Sequence, residues 1–415
     1  MGFNRAFVNV IGSGFAGIEC SLFLAGHGIK VHLFDDEKYH DNKLFNSVDD
    51  YSYNIQINKF LLKKELAVLG SPLIKAKESL IDQGYKNEDI NSVLLSIGKD
   101  MVKNNKNIEY FPVAVSEISP NEITIIATGS YTDENMINTL TNKFGLMRFF
   151  KHMPVYPIIS NINENYLVKQ DEKHYVMQLN YQEYIDFINK IVKQYNAKLD
   201  EGDFETIEDS IEYLVRKDKD SLKTYAMNPV CVEGENEKPY ASLKLKKTKH
   251  GFKILDFCSK FDIDSQFKIF SSLKGFENIT IERKADLMNV CCLNARYVIN
   301  NFHQCMQNEN LFFAGAILGV KGFTETVASG LYTAINVKKY YSEEYMPKFP
   351  KNTCIGVLAD KILSSTSIKP HPFLEEYGII ESEDVCKKDE MEKIIETSMK
   401  ELAQFKEVYK NGKYV

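Results

Sequence analysis

The run from Val8 to Gly17 constrains this chain more than any other. Val8-Asn9-Val10-Ile11 reads as a short buried strand, and it leads directly into Gly12-Ser13-Gly14-Phe15-Ala16-Gly17, which opens an apolar helix from Phe15 to Ala25. A strand, glycine turn and helix in this order form the unit that cradles a dinucleotide. Gly12 permits the tight turn, Gly14 lets backbone approach a pyrophosphate, and Gly17 lets helix and strand pack closely. Amide N–H groups at the helix start face the phosphates, with the helix dipole in support. A second apolar strand, Lys30 to Phe34, ends at Asp35, roughly twenty residues past the glycines, where such folds place the carboxylate for a ribose hydroxyl. Asp36 and Glu37 follow, so a turn of solvated acids is the competing reading of Asp35.

Composition bounds the rest. A chain of 415 residues, 44% hydrophobic and 26% charged, has material for two domains with substantial cores. Its net charge of −6 offers no global attraction to nucleic acid or to an anionic membrane, so an RNA contact requires a local basic patch. Lys244, Lys246, Lys247, Lys249 and Lys253 are the candidate, with a solvated strand edge as the alternative. Eight cysteines show neither a CxxC pair nor a His/Cys ligand spacing. A metal site or disulfide framework is not expected, and a reducing cytoplasm is the expected compartment. Residues 8 to 29 are apolar, but Glu19 and the glycines suit a buried strand and helix better than a membrane span.

Helical patterns follow at Lys59 to Leu69, stopped by Gly70 and Pro72, and at Ile90 to Lys103. Ile108 to Val115 and Ile123 to Ala127 read as strands, the second ending in Ala127-Thr128-Gly129, a small-residue end that either passes close to a bound cofactor or forms a plain turn. From Gly145 the pattern becomes mixed: a strand at Tyr175 to Leu179, helices at Gln182 to Tyr195 and Glu205 to Lys217, and strands at Tyr240 to Leu245 and Phe252 to Phe257. The chain then returns to Leu311-Phe312-Phe313-Ala314-Gly315, followed by Gly319, Val320, Gly322 and Phe323 and a helix starting near Thr324. Two glycine-rich helix starts flanking an insertion point to FAD more than NAD. The expected fold is α/β: an FAD-binding Rossmann-like domain of the glutathione-reductase type (residues 1–145 and 280–415) with an inserted smaller α+β domain (146–279). The expected cofactor contacts are Gly12, Ser13, Gly14, Phe15, Ala16, Gly17, Asp35, Ala127, Thr128, Gly129, Gly315, Gly319, Val320, Gly322 and Phe323.

With these residues in view, the chain resembles the folate-dependent tRNA (uracil-5-)methyltransferase family, TrmFO, along essentially its full length. The resemblance is carried by Val8 to Gly17, Leu61-Leu62-Lys63-Lys64-Glu65 with Leu69-Gly70-Ser71, Thr124 to Gly129, Lys238-Pro239-Tyr240-Ala241, Gly275-Phe276-Glu277-Asn278, and Leu311 to Gly315 through Ala328-Ser329-Gly330-Leu331. It implies an FAD enzyme that takes a methylene group from methylenetetrahydrofolate, passes it to C5 of a uracil in tRNA or rRNA, and supplies the reducing hydride. The family uses two cysteines, one thiolate adding to uracil C6 and the other removing the C5 proton.

Both cysteine positions differ here. The family's Cys-Ser-Asn-Ser motif corresponds to Leu44-Phe45-Asn46-Ser47, and its Gly-Cys-Met-Pro motif to Gly202-Asp203-Phe204-Glu205. Leu44 can neither attack nor carry a proton, and Asp203 is a base but a far poorer nucleophile. Polar family groups are also replaced at Tyr85 to Asn91, at Asn228 and at Leu287 to Val290. Cys231 and Cys291 are the nearest substitutes, although a free cysteine is more often a small buried apolar residue. Three functions therefore stand: an FAD protein that has lost methyl transfer and retains at most simple redox chemistry, such as oxidation of NADH or NADPH; an active RNA methyltransferase with a relocated nucleophile; and a non-enzymatic RNA-binding flavoprotein.

Overall fold

The computed structural model describes residues 4–36, 53–85, 87–129, 132–145, 149–152, 158–200, 211–217, 221–230, 239–248, 251–255, 257, 259, 261–281, 290–320, 322–364, 379 and 388–411. It divides into two compact units, Met1–Lys151 with Cys291–Val415, and His152–Val290.

The first unit begins β1 (Asn4–Ile11), α1 (Phe15–Gly26), β2 (Val31–Phe34), α2 (Tyr53–Leu69), α3 (Pro72–Asp82), α4 (Asn87–Lys103), β3 (Ile108–Phe111), β4 (Glu122–Ile126) and α5 (Glu134–Phe144). Helix α1 is buried on all sides from Phe15 to Ala25, as a helix apolar around its whole circumference must be. Helix α2 stops at Gly70, as its sequence suggests. Pro72, read as a breaker, also starts α3: it sits in the first turn, where its missing N–H costs nothing, and the Ser71 hydroxyl caps the Ile74 amide at 3.2 Å. Strand β3 is shorter than expected and ends at Phe111, because Pro112 has no N–H for the ladder and Val113 turns back onto the Phe111 carbonyl.

The second unit contains β6 (Ile158–Ser160), β7 (Val168–Lys169), β8 (His174–Leu179), α6 (Tyr181–Asp200), α7 (Ile211–Lys217), α8 (Ser221–Tyr225), β9 (Ala241–Thr248), β10 (Gly251–Ile254), α9 (Ile263–Phe270) and β11 (Thr280–Ile281), after the junction strand β5 (Phe149–His152). Its six strands lie in the order β11-β6-β10-β9-β8-β7, with every pairing antiparallel. Tyr184, Phe187 and Ile191 of α6 join Phe257, Phe270 and Leu243 in a separate core.

The chain returns through β12 (Val290–Leu293), paired with β5, then α10 (Ala295–Val298), β13 (Gln304–Cys305), β14 (Asn308–Phe313), α11 (Phe323–Tyr341), α12 (Cys354–Ser364) and α13 (Lys388–Asn411). The sheet of the first unit runs β13-β14-β4-β1-β2-β3 and is parallel except for β13. Ile11 lies level with both Phe34 and Ile126, and Ile126 level with Phe313, so four strands end along one edge. From β1 the chain runs outward to β2 and β3, then returns to β4 on the other side of β1. Ligands of open α/β sheets bind at this kind of switch point, beyond the carboxyl ends of the strands.

Candidate functional site: the heads of two helices

At the end of β1 the chain turns through Gly12, whose φ of +108° excludes most side chains; a Cβ there would also lie 2.5 Å from the Ala127 carbonyl oxygen. A Cβ on Gly17 would lie 1.8 Å from the Gly12 carbonyl oxygen, so helix and turn touch backbone to backbone. Gly14 differs: its φ is −73° and nothing of the protein lies within 4 Å of where its Cβ would be. The protein itself has no need of glycine there, but a phosphate drawn up against the main chain would. No side chain caps the start of α1, and no acidic residue stands in its first turn. The Ser13 hydroxyl is buried without a hydrogen-bond partner among the described residues. Buried hydroxyls are normally paired, so an acceptor oxygen from outside fits here.

Gly12, Ser13 and Gly14 line a cavity together with Asp35, Val113 and Thr128. Asp35, just past β2, is buried; Tyr110 donates its hydroxyl to Oδ2 at 2.6 Å, and the Lys99 ammonium stands 3.8 Å from the same oxygen. These two side chains, from β3 and α4, hold the carboxylate at the cavity wall. No local pattern in the sequence marks either residue. Ala127 backs Gly12, the Thr128 hydroxyl meets that of Thr132 at 2.7 Å, and Gly129 has a φ of +69°.

The late segment approaches by a different route. Gly315, Gly319 and Gly322 all have positive φ, and α11 starts at Phe323, one residue ahead of the expected Thr324. Among the described residues, 315–320, 322 and 323 do not line the Gly12 cavity. They meet the head of α1 instead: the Phe15 and Phe323 rings contact edge to face at 4.9 Å, and Cβ atoms on Gly315 and Gly330 would lie 2.6 Å from Ala16 Cβ and 2.8 Å from the Ala16 carbonyl oxygen. Val320 is 2% exposed and belongs to the core. Around the α11 head stand charges that the sequence did not single out: Lys59 pairs with Glu325 at 3.4 Å, and the Lys77 ammonium sits 4.2 Å from the centre of the Phe323 ring.

Leu44, Asp203 and Cys231 lie outside the described residues, and of Cys291 only the backbone, in β12, is described. Cys20, Cys292, Cys305 and Cys354 are buried. Burial pushes the thiols of Cys20, Cys305 and Cys354 above their ordinary range, which leaves less thiolate. Among the described residues no cluster could hold a metal ion, and no helix is long and apolar enough to cross a membrane.

The lysine run corrects its expected placement. It does not lie on a sheet edge: β9 is flanked by β8 and β10, because Leu243 and Leu245 feed the core from a central strand. Lys246 stands opposite Lys253 across the ladder. Lys247, on the other face of the pleat, is held by Glu164 at 2.8 Å, which splits the run. Lys249 lies outside the described residues.

A family profile described as glucose inhibited division protein A matches residues 7–345, more than four-fifths of the chain and all of the site. The chain belongs to the glucose inhibited division protein A family. Similar curated proteins include the methylenetetrahydrofolate–tRNA-(uracil-5-)-methyltransferase TrmFO of Acetivibrio thermocellus, 26% identical over 97% of this chain and 98% of the relative. The enzyme of the same name from Lactococcus lactis is 27% identical over 96% of this chain and 97% of the relative. The resemblance to TrmFO thus extends over nearly the whole chain. Among solved structures, GidA of Aquifex aeolicus superposes with a TM-score of 0.62 at 14% identity, covering 97% of this chain and 73% of that one, a likeness of fold. The parallel sheet and glycine turn described above are this family's Rossmann-like fold.

Proposed function

We propose that this GidA-family chain is a flavoprotein that binds FAD in its first unit and has lost folate-dependent methyl transfer, keeping at most a simple flavin redox activity. The observation that carries the FAD reading is the pairing of Gly14, whose Cβ position has nothing within 4 Å among the described residues, with the buried Ser13 hydroxyl, which has no partner among those residues, at the head of a helix that no side chain caps. In this reading Ser13 and the first amides of α1 hold the pyrophosphate, and Asp35, braced by Tyr110 and Lys99, accepts from the ribose hydroxyls. The α11 head then faces the flavin end of the molecule. Bound FAD supplies two-electron redox chemistry. The protein holds and orients it.

Loss of methyl transfer is supported by Leu44 and Asp203 at the family's cysteine positions. Burial of Cys20, Cys292, Cys305 and Cys354 supports it further, since none of these thiols is presented for attack. The test is a visible spectrum of the purified protein after incubation with FAD, followed by anaerobic addition of NADH or NADPH. A yellow protein bleached by a nicotinamide supports the reading. A protein that stays colourless in excess FAD defeats it.

The alternative is an active methylenetetrahydrofolate- and FAD-dependent methyltransferase acting on tRNA or rRNA, favoured by the names of relatives that match nearly the whole chain. It requires a relocated thiol, with Cys231 and Cys291 as the candidates. Transfer of labelled carbon from methylenetetrahydrofolate to uracil in RNA, abolished by replacing one of these cysteines, would establish it.

A further inference from the structure

We infer that Lys59 and Glu325 form a buried charge pair at the head of α11 that sets the reduction potential of the bound flavin, an inference that rests on the flavoprotein reading above. Lys59 comes from α2, and Glu325 is the third residue of α11. Their side chains are 12% and 4% exposed, with Nζ and Oε1 3.4 Å apart.

A buried ion pair is a poor device for stability alone. Desolvation of both groups consumes most of the attraction, and apolar residues of similar size commonly do as well. Its position suggests another use. Glu325 folds back over the cap of its own helix, where a Cβ on Gly322 would lie 2.2 Å from Oε2. That carboxylate offsets the positive end of the α11 dipole, and the Lys59 ammonium offsets the carboxylate. Phe323, next to the cap, touches Phe15, the first residue of the helix whose amides face the pyrophosphate. In the flavoprotein reading the α11 head faces the flavin end of the dinucleotide, and the Lys59–Glu325 pair stands at that head.

The sign follows from charge. Two-electron reduction of a flavin at neutral pH adds two electrons and one proton, leaving one net negative charge on the ring system. A buried ammonium favours that charge, a buried carboxylate opposes it, and low local dielectric strengthens both effects. Lys77, the other cation at Phe323, is unchanged in the comparison below.

The test is anaerobic reductive titration of the FAD-loaded full chain against a dye of known potential, with dithionite as the electron donor. Lys59→Met should lower the reduced-to-oxidised flavin ratio at a fixed dye ratio by tenfold, or about 30 mV for a two-electron couple. Glu325→Gln should raise it by a similar factor. The double variant should return toward the parent, and Lys59→Arg should stay near it. A pair that only braces the helices would weaken FAD retention in both single variants without moving their potentials apart, and that result overturns the inference. If Lys59→Met does not fold, Glu325→Gln and Lys59→Arg still decide: an unchanged potential in Glu325→Gln overturns it. A parent protein that takes up no FAD overturns the flavoprotein reading and this inference together, whereas a yellow parent with unmoved variants overturns this inference alone.

Discussion

Ser398 donates its hydroxyl to Glu65 at 2.6 Å, although the two residues stand 333 positions apart. The same carboxylate accepts the amides of Cys354 and Ile355 at 2.8 and 2.9 Å, so one buried side chain of α2 caps α12 and ties down α13. Burial pushes its carboxyl above the usual range, and these three donors pull it back. Leu402 and Phe405 of α13 are buried beyond this anchor.

Glu65→Ala leaves three buried donors without an acceptor and should destabilise the protein by about 3 kcal/mol or more. Denaturant unfolding measures the loss, and limited proteolysis should show α13 released first. A loss below about 1 kcal/mol would mean that water replaces the carboxylate.

Glu19, wholly buried in α1, accepts the Leu73 amide at 3.0 Å and so caps α3 from a distance. Burial pushes its carboxyl up from 4.5 to about 8, against the pull of Ser71 and Leu73. Between those values the folded chain holds a proton that the unfolded chain releases, so this group's contribution is fully present below pH 4.5 and is lost as pH rises through about 8. The parent should lose stability relative to Glu19→Gln by up to about 1.4 kcal/mol per pH unit across that window. Parallel stability curves for the two proteins would refute the assignment.

Gly14 and Gly17 should separate folding from binding. Gly17→Ala drives a Cβ into the Gly12 carbonyl and should sharply lower the melting temperature. A Cβ on Gly14 would have nothing within 4 Å among the described residues, so Gly14→Val should fold normally while weakening FAD binding by at least tenfold in a fluorescence titration. Equal FAD affinity in Gly14→Val and the parent would show that the pyrophosphate lies elsewhere.

Ser13→Ala removes a hydroxyl that has no partner among the described residues. Stability should hold or rise slightly, whereas FAD affinity should fall about tenfold, the worth of one good hydrogen bond to a charged oxygen. Calorimetric titration with FAD measures the change.

The parts of the fold legible beforehand are those whose signal is local. Strand β1, the glycine turn and α1 announce themselves because backbone contact at Gly12 and Gly17 tolerates no side chain, and α4 and α6 because their apolar positions recur with the helical period. Other elements are marked in the sequence mainly by their caps. Ser71, Asp133 and Asp262 each accept an amide at the start of α3, α5 and α9, a signal present in the sequence. Asp35 was legible as a strand-end carboxylate, but Tyr110 and Lys99, which hold it, were not, since nothing local marks two residues that converge across separate elements.

What the sequence by itself determined is therefore the cradle: glycines at positions where a Cβ would strike main chain, a strand ending in an acid, and a second glycine-rich helix start far along the chain. Only the tertiary structure decided which polar and charged groups distant in sequence meet. Lys59 and Glu325, Glu19 and the α3 cap, and Glu65 and Ser398 are pairings between elements remote in sequence, made when packing removes these groups from water. Burying a polar group demands a partner wherever the fold can supply one, and that choice is made in three dimensions.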